Sequence, residues 1–249
     1  MDADRRARVW SVIAEAVADN SSGPVLRRFC AACAEALSLD AVVLALRTTD
    51  RTPVLAHVTG PLGRQLWDLQ TTLGEGPATD AVTAGEPVIS GDLSHAAALR
   101  RWPVFAPAAA GTGIRTVAAI PLQVGMVRLG ILELARERPG GFAEHELADA
   151  FTFAEFGLTL AINLRADPEL SEPVADDIFG MDTEVHQATG MVAAQLDTSA
   201  DRALLRMRAH AFTHDLRLGD VALAVLSRTL RFFPDETDQA PEERGEAGG

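Results

Sequence analysis

Arg202, Arg206 and His210 follow one another at intervals of four residues, and Arg208 stands two positions beyond Arg206. On a helix this spacing puts the first three on one face and Arg208 on an adjacent one. Like charges so placed repel, and no acid stands four residues from Arg202 or Arg206 to relieve them. The planar fork of arginine suits bidentate contact with phosphate, so the stripe fits an anionic polymer. A solvated charged face has the same pattern. His210 and His214 could share a metal ion, but zinc needs three or four protein ligands and no third stands at a sensible spacing. No metal site is expected. Cys30-Ala-Ala-Cys33 has the spacing of a redox pair but sits within a helical apolar pattern with no strand before it, so two buried small hydrophobes are expected.

Catalytic signatures do not occur. There is no G-x-S-x-G, H-E-x-x-H, G-x-G-x-x-G or phosphate-binding loop. All 22 basic residues are arginine, so no lysine exists to form a Schiff base or act as general base. No enzymatic activity and no cofactor are expected.

The elements that must position these residues are legible in the hydrophobic periodicity. Arg5–Asp19 and Pro24–Leu37 read as helices, the second capped by Ser22 with proline in its first turn. Ala41–Arg47, Pro53–Thr59 and Pro87–Ser90 read as strands, and Leu62–Leu73 and Pro77–Ala84 as helices. Arg115–Gln123 and Val127–Ala135 pair as an antiparallel hairpin. Phe142–Arg165 reads as a long helix with two apolar stripes. One is Leu147, Phe151, Ala154, Leu158 and Ala161; the other is Phe153, Phe156, Leu160 and Leu164. A helix lying on one sheet needs a single stripe, so the second is expected to bury against a partner subunit. Ala166–Ala175 is polar with two prolines and reads as a linker. Three helices follow: Asp177–Leu196 with a seam of Ile178, Met181, Val185, Ala188 and Val192, then Ala200–Phe212 capped by Thr198–Ser199, then Leu218–Leu230.

The fold class is therefore α+β: a central antiparallel sheet with flanking helices, followed by a three-helix module. The expected domains are 1–165 (α+β domain), 166–176 (linker), 177–233 (helical module) and 234–249 (disordered acidic tail). At 249 residues, 47% hydrophobic and 23% charged, the composition is that of a globular protein. The longest uncharged runs, such as Thr116–Val127, are too short to span a bilayer. No membrane association is expected, and two cysteines without a disulfide framework point to the cytoplasm. The net charge of −13 hides an asymmetry: Arg202–Phe232 holds six arginines against Asp215 and Asp220, while 234–249 holds one against six acids.

Thr72–Val82 (TLGEGPATDAV), Gly85–Leu93 (GEPVISGDL), Arg101–Ala109 (RWPVFAPAA), Ala118–Leu134 and Phe142–Ala150 (FAEHELADA) resemble a GAF domain. Glu184–Leu196 (EVHQATGMVAAQL), Asp201–Phe212 (DRALLRMRAHAF) and Leu218–Leu226 (LGDVALAVL) resemble an ANTAR domain. The order GAF, linker, ANTAR is more specific than either motif set. The ANTAR resemblance implies binding of paired small hairpins in leader RNA and prevention of transcription termination. Its residues would be Ala188, Thr189, Gly190, Arg202, Arg206, Arg208, His210 and Arg217. Two positions depart from the pattern. Thr189 stands where many relatives have lysine, removing a cation from the first helix. Ala78 stands where GAF relatives often have cysteine, which argues against a thiol-attached chromophore.

The GAF resemblance also implies a ligand pocket around His57, Trp67, Asp92, Trp102 and Phe105, unless side chains fill it as in GAF domains that serve only for dimerisation. The expectation is a homodimeric RNA-binding antiterminator with a sensor that takes a small-molecule ligand or passes on another signal. The alternative is a DNA-binding regulator with the same sensor. Against it, the third helix offers only Arg228 to a base edge.

Overall fold

The computed structural model of the chain describes residues 3–19, 23–47, 53–166 and 176–234. It divides into two compact units, Met1–Thr183 and Glu184–Gly249. The first unit is built on five antiparallel strands, β1 (Ala41–Arg47), β2 (Pro53–Val58), β3 (Val88–Ser90), β4 (Thr116–Val124) and β5 (Val127–Arg136), in the order β2-β1-β5-β4-β3.

Successive side chains on a strand point to opposite faces, and here both faces are covered. Ala41, Val43 and Ala45 of β1, Val117 and Ala119 of β4, and Ile131 and Ala135 of β5 share one core. That core is roofed by α3 (Gly60–Leu73), α4 (Pro77–Ala84), α5 (Ala96–Arg101) and α6 (Phe105–Gly111). Val42, Leu44, Ile120, Leu132 and Leu134 enter the other core, with α1 (Ala3–Ala18), α2 (Val25–Ala36) and α7 (Glu144–Ala166). Alanine supplies much of the α3–α6 face, which leaves room for the larger side chains of those helices.

The α+β sheet matches expectation, and several details differ. Helices α5 and α6 were not anticipated: each is only six or seven residues long, too short to show an apolar period. The N-cap position of α2 is held by Pro24, without a side-chain cap; Ser22 lies outside the described residues. The second stripe of α7 needs no partner subunit, because α1 and α2 of the same chain cover it. Phe156 stacks on Phe29 at 5.9 Å and meets Trp10 edge-on at 5.3 Å, and Phe153 packs on Phe29. A helix flanked on several sides becomes apolar nearly all round. Consequently Glu144–Leu164 is long and apolar enough to cross a membrane by length and composition, a test that a core helix packed on a sheet and two other helices also passes. Of the first stripe, Ala154 and Ala161 are buried while Phe151 remains 38% exposed. It borders an open groove of about 300 Å³ with Ile120, Pro121, Leu122 and Leu158.

Helix α8 (Asp176–Leu196) runs from the first unit into the second, where its part from Val185 onward, α9 (Ala200–Thr213) and α10 (Leu218–Leu226) contribute to one small core. Ser199 caps α9, its side chain accepting from the Arg202 amide. Val185, Ala188 and Val192, the second half of the expected seam, pack into this core; the side chains of Ile178 and Met181 lie outside the described residues. Helix α10 stops at Leu226, four residues earlier than its pattern suggests. Arg228 takes a left-handed conformation, and the Thr229 and Leu230 amides turn back to the Ala224 carbonyl. Most of the expected linker and all but Pro234 of the expected tail lie outside the described residues.

Candidate functional sites

Three of the five expected pocket residues come together. Trp67 on α3, Trp102 at the end of α5 and Phe105 at the start of α6 are all buried in the core between sheet and helices. Trp102 meets Phe105 edge-on, with centroids 6.2 Å apart. The Trp102 indole donates to Asp80 Oδ2 at 3.1 Å, and that oxygen also accepts from Arg101 Nε at 2.7 Å. Glu75 Oε1 accepts from the amides of Val104 and Phe105, both at 2.7 Å, which satisfies the start of α6. The aromatic group is thus held by a polar rim of Glu75 and Asp80.

The other two lie elsewhere. Asp92 is at the surface in a two-pronged pair with Arg115, at 3.0 and 3.1 Å, and accepts from the Ser94 amide. The hydrogen bond from Arg115, then that from Ser94, hold its carboxyl below the usual carboxylate range. His57 stands opposite Leu44, next to the irregularity at Leu44/Ala45. Leu44 belongs to the α1–α2–α7 core, so the histidine shares that face and the sheet separates it from the tryptophans. Its pKa is lowered by burial and then by Arg27 of α2.

The aromatic face holds a polar group that motif reading missed. Glu133 on β5 lies opposite Val43 and Ala119, is fully buried, and points to the same side. Its Oε1 accepts from Gln70 Nε2 at 2.7 Å, and Gln70 Oε1 in turn accepts from the Ala78 amide at 2.8 Å. Glu133 Oε2 has no hydrogen-bond partner. Burial pushes the carboxyl up to about 7, against the opposing effect of Gln70. Gly76 is required here: its φ is +137°, and a Cβ would stand 2.6 Å from Gln70 Oε1. The available signal was a lone acid at the centre of the apolar run Gly130–Ala135. Cys30 and Cys33 are buried, and burial raises both thiols well above their ordinary value, as suits small core residues.

In the second unit the structure sorts the expected RNA contacts. Ala188 and Thr189 are interior, which removes them from any surface that RNA could touch; Thr189 Oγ1 donates to the Val185 carbonyl at 2.7 Å. Gly190 is exposed. Arg217 is engaged by Asp220 at 3.0 and 2.9 Å. His210 stacks on His214 at 4.0 Å and meets Phe232 edge-on at 5.5 Å. Its pKa is lowered by burial and then by His214. No group of three metal-ligating side chains occurs among the described residues. Helix α9 has Ala203, Met207 and Ala211 on its inner side, with Arg202 exposed and Arg206 and Arg208 half-buried.

No curated protein sequence matches the chain. Similar solved structures include the GAF domain of a phosphoenolpyruvate-protein phosphotransferase from Coxiella burnetii, at 23% identity and a TM-score of 0.49, covering 67% of this chain and 98% of that one. The free methionine-R-sulfoxide reductase from Neisseria meningitidis, solved with its substrate, is 20% identical with a TM-score of 0.45, covering 67% and 95%. The GAF domain of a two-component sensor histidine kinase from Bacillus halodurans is 14% identical with a TM-score of 0.41, covering 57% and 96%. The family model of the GAF domain matches residues 23–155, more than half of the chain and the whole span from α2 to the middle of α7. The chain belongs to the GAF domain family.

Proposed function

We propose that this protein is a regulator in which a GAF sensor unit is joined to an ANTAR-like, RNA-binding helical unit that acts on hairpins in leader transcripts. The carrying observation is α9: Arg202, Arg206 and Arg208 stand on a helix whose opposite side fills the core, within a segment of six arginines and two acids in a chain of net charge −13. Cationic charge concentrated in one segment favours a polyanion there, where the average charge of the chain would repel it. The DNA-binding alternative is weaker. Leu218, Val221, Ala222 and Val225 of α10 are buried, and Arg228 lies beyond its end.

The sensor signal in this reading is a small molecule reaching the α3–α6 face, where it would have to displace the packing of Trp67, Trp102 and Phe105 and would meet Glu133. Homodimerisation in this reading uses the groove beside Phe151 and Leu158, since Phe156 is covered by Trp10 and Phe29.

The test is binding to a two-hairpin leader RNA beside duplex DNA of the same sequence. The triple variant R202A/R206A/R208A should retain its fold and lose most RNA affinity, with a flatter salt dependence. Wild-type affinity in the triple variant would move the RNA site elsewhere. A preference for the duplex DNA would overturn the reading.

A further inference from the structure

Helix α9 has an outer stripe that takes no part in the core of the second unit. Leu205, Ala209 and Phe212 follow at i, i+4 and i+7, opposite the buried Ala203, Met207 and Ala211. Leu205 is 65% exposed and Phe212 62%. Large apolar side chains grouped in water mark a contact surface. With 3.6 residues per turn, Arg202 and Arg206 fall on one flank of this stripe and Arg208 on the other. Phe212 lies one turn beyond Arg208.

We propose that Phe212 is a base-stacking residue: an unpaired nucleobase from an RNA loop lies on its ring while the flanking arginines meet the phosphates on either side. This rests on the RNA-binding reading above and adds to it a residue outside the basic set. An aromatic ring offers a flat apolar face to any base, and loop bases are free to leave their stack where duplex bases are not. Charge decides between RNA and a second copy of the chain. Joining two such stripes would bring two sets of three arginines together, whereas a phosphate backbone complements them.

The experiment titrates full-length wild type, F212A, F212L and F212W with a tandem-hairpin RNA carrying a fluorescent purine analogue in its loops. Phe212 is exposed, so all four should melt alike. Wild type and F212W should bind and quench the analogue, while F212A and F212L should lose roughly tenfold in affinity together with the quench. Wild-type behaviour of F212L would replace stacking by plain apolar contact and overturn the inference, as would wild-type behaviour of F212A. A fall in molar mass on F212A, read by light scattering, would assign the stripe to a second copy. RNA binding by wild type that is indifferent to Phe212 leaves the proposed function standing without this residue; no RNA binding by wild type removes both.

Discussion

Replacing Glu133 by glutamine should change the pH dependence of the GAF unit more than its shape. The carboxyl is fully buried, with one oxygen bonded to Gln70 and the other unpartnered, and burial raises its pKa from 4.5 to about 7. The folded state therefore holds the proton more tightly than the unfolded chain does. The sign follows: the penalty is absent below about 4.5, grows as pH rises, and is complete above about 7. It amounts to about 3 kcal/mol in full, of which about 2 kcal/mol accumulates between pH 5 and pH 7. E133Q is isosteric and neutral. Its carbonyl can accept from Gln70, while its amide nitrogen inherits the unpartnered position at a cost that does not vary with pH. The slope is thus diagnostic and the offset is not. Urea unfolding at pH 5, 6, 7 and 8, followed by tryptophan emission, isolates the right unit because Trp10, Trp67 and Trp102 all lie within it. E133Q should gain on wild type by about 2 kcal/mol from pH 5 to pH 7 and little beyond. A difference constant to within about 0.5 kcal/mol across that range would refute a carboxyl that keeps its proton towards neutrality.

Three further outcomes follow from the packing. F156A should destabilise the GAF unit by about 2 kcal/mol, for a half-buried ring between Phe29 and Trp10, and leave the molar mass by light scattering unchanged; a change of mass at constant stability would return Phe156 to an interface. G76A should cost about 2 kcal/mol by chemical denaturation, because the left-handed φ and the Gln70 side chain both oppose a Cβ, and a neutral result would show that Gln70 can move aside without loss. A chain ending at Phe233 should melt like the full chain and bind RNA equally or better, since the six acids beyond compete with RNA for the arginines; reduced thermal stability would show that the acidic segment takes part in folding.

Much of the architecture was legible because alternation and helical period are local properties. The Thr116–Arg136 hairpin, the longer α-helices of both units, the buried cysteines and the three-helix core all follow from which positions are apolar. Periodicity reports that a face is apolar and is silent about what covers it. So the second stripe of α7 read as an interface, and only the tertiary structure gave it α1 and α2. The same limit hid Ala188 and Thr189, whose burial depends on α9 packing across them. His57 and Trp67 are close in sequence, yet the register beside the strand irregularity sends them to opposite sides of the sheet. Glu133 shows the reverse case. Its charge is plain in the sequence, but whether it keeps its proton is decided by distant segments, α3 with Gln70 and the strands at Val43 and Ala119, which together exclude water from the carboxyl. Composition likewise set the arginine count of the helical segment, while the fold decided that Arg202 is exposed, that Arg206 and Arg208 are half-buried, and that Arg217 pairs with Asp220. Residue type and spacing determine the elements and their apolar sides; long-range burial determines the ionisation and accessibility on which a binding site depends.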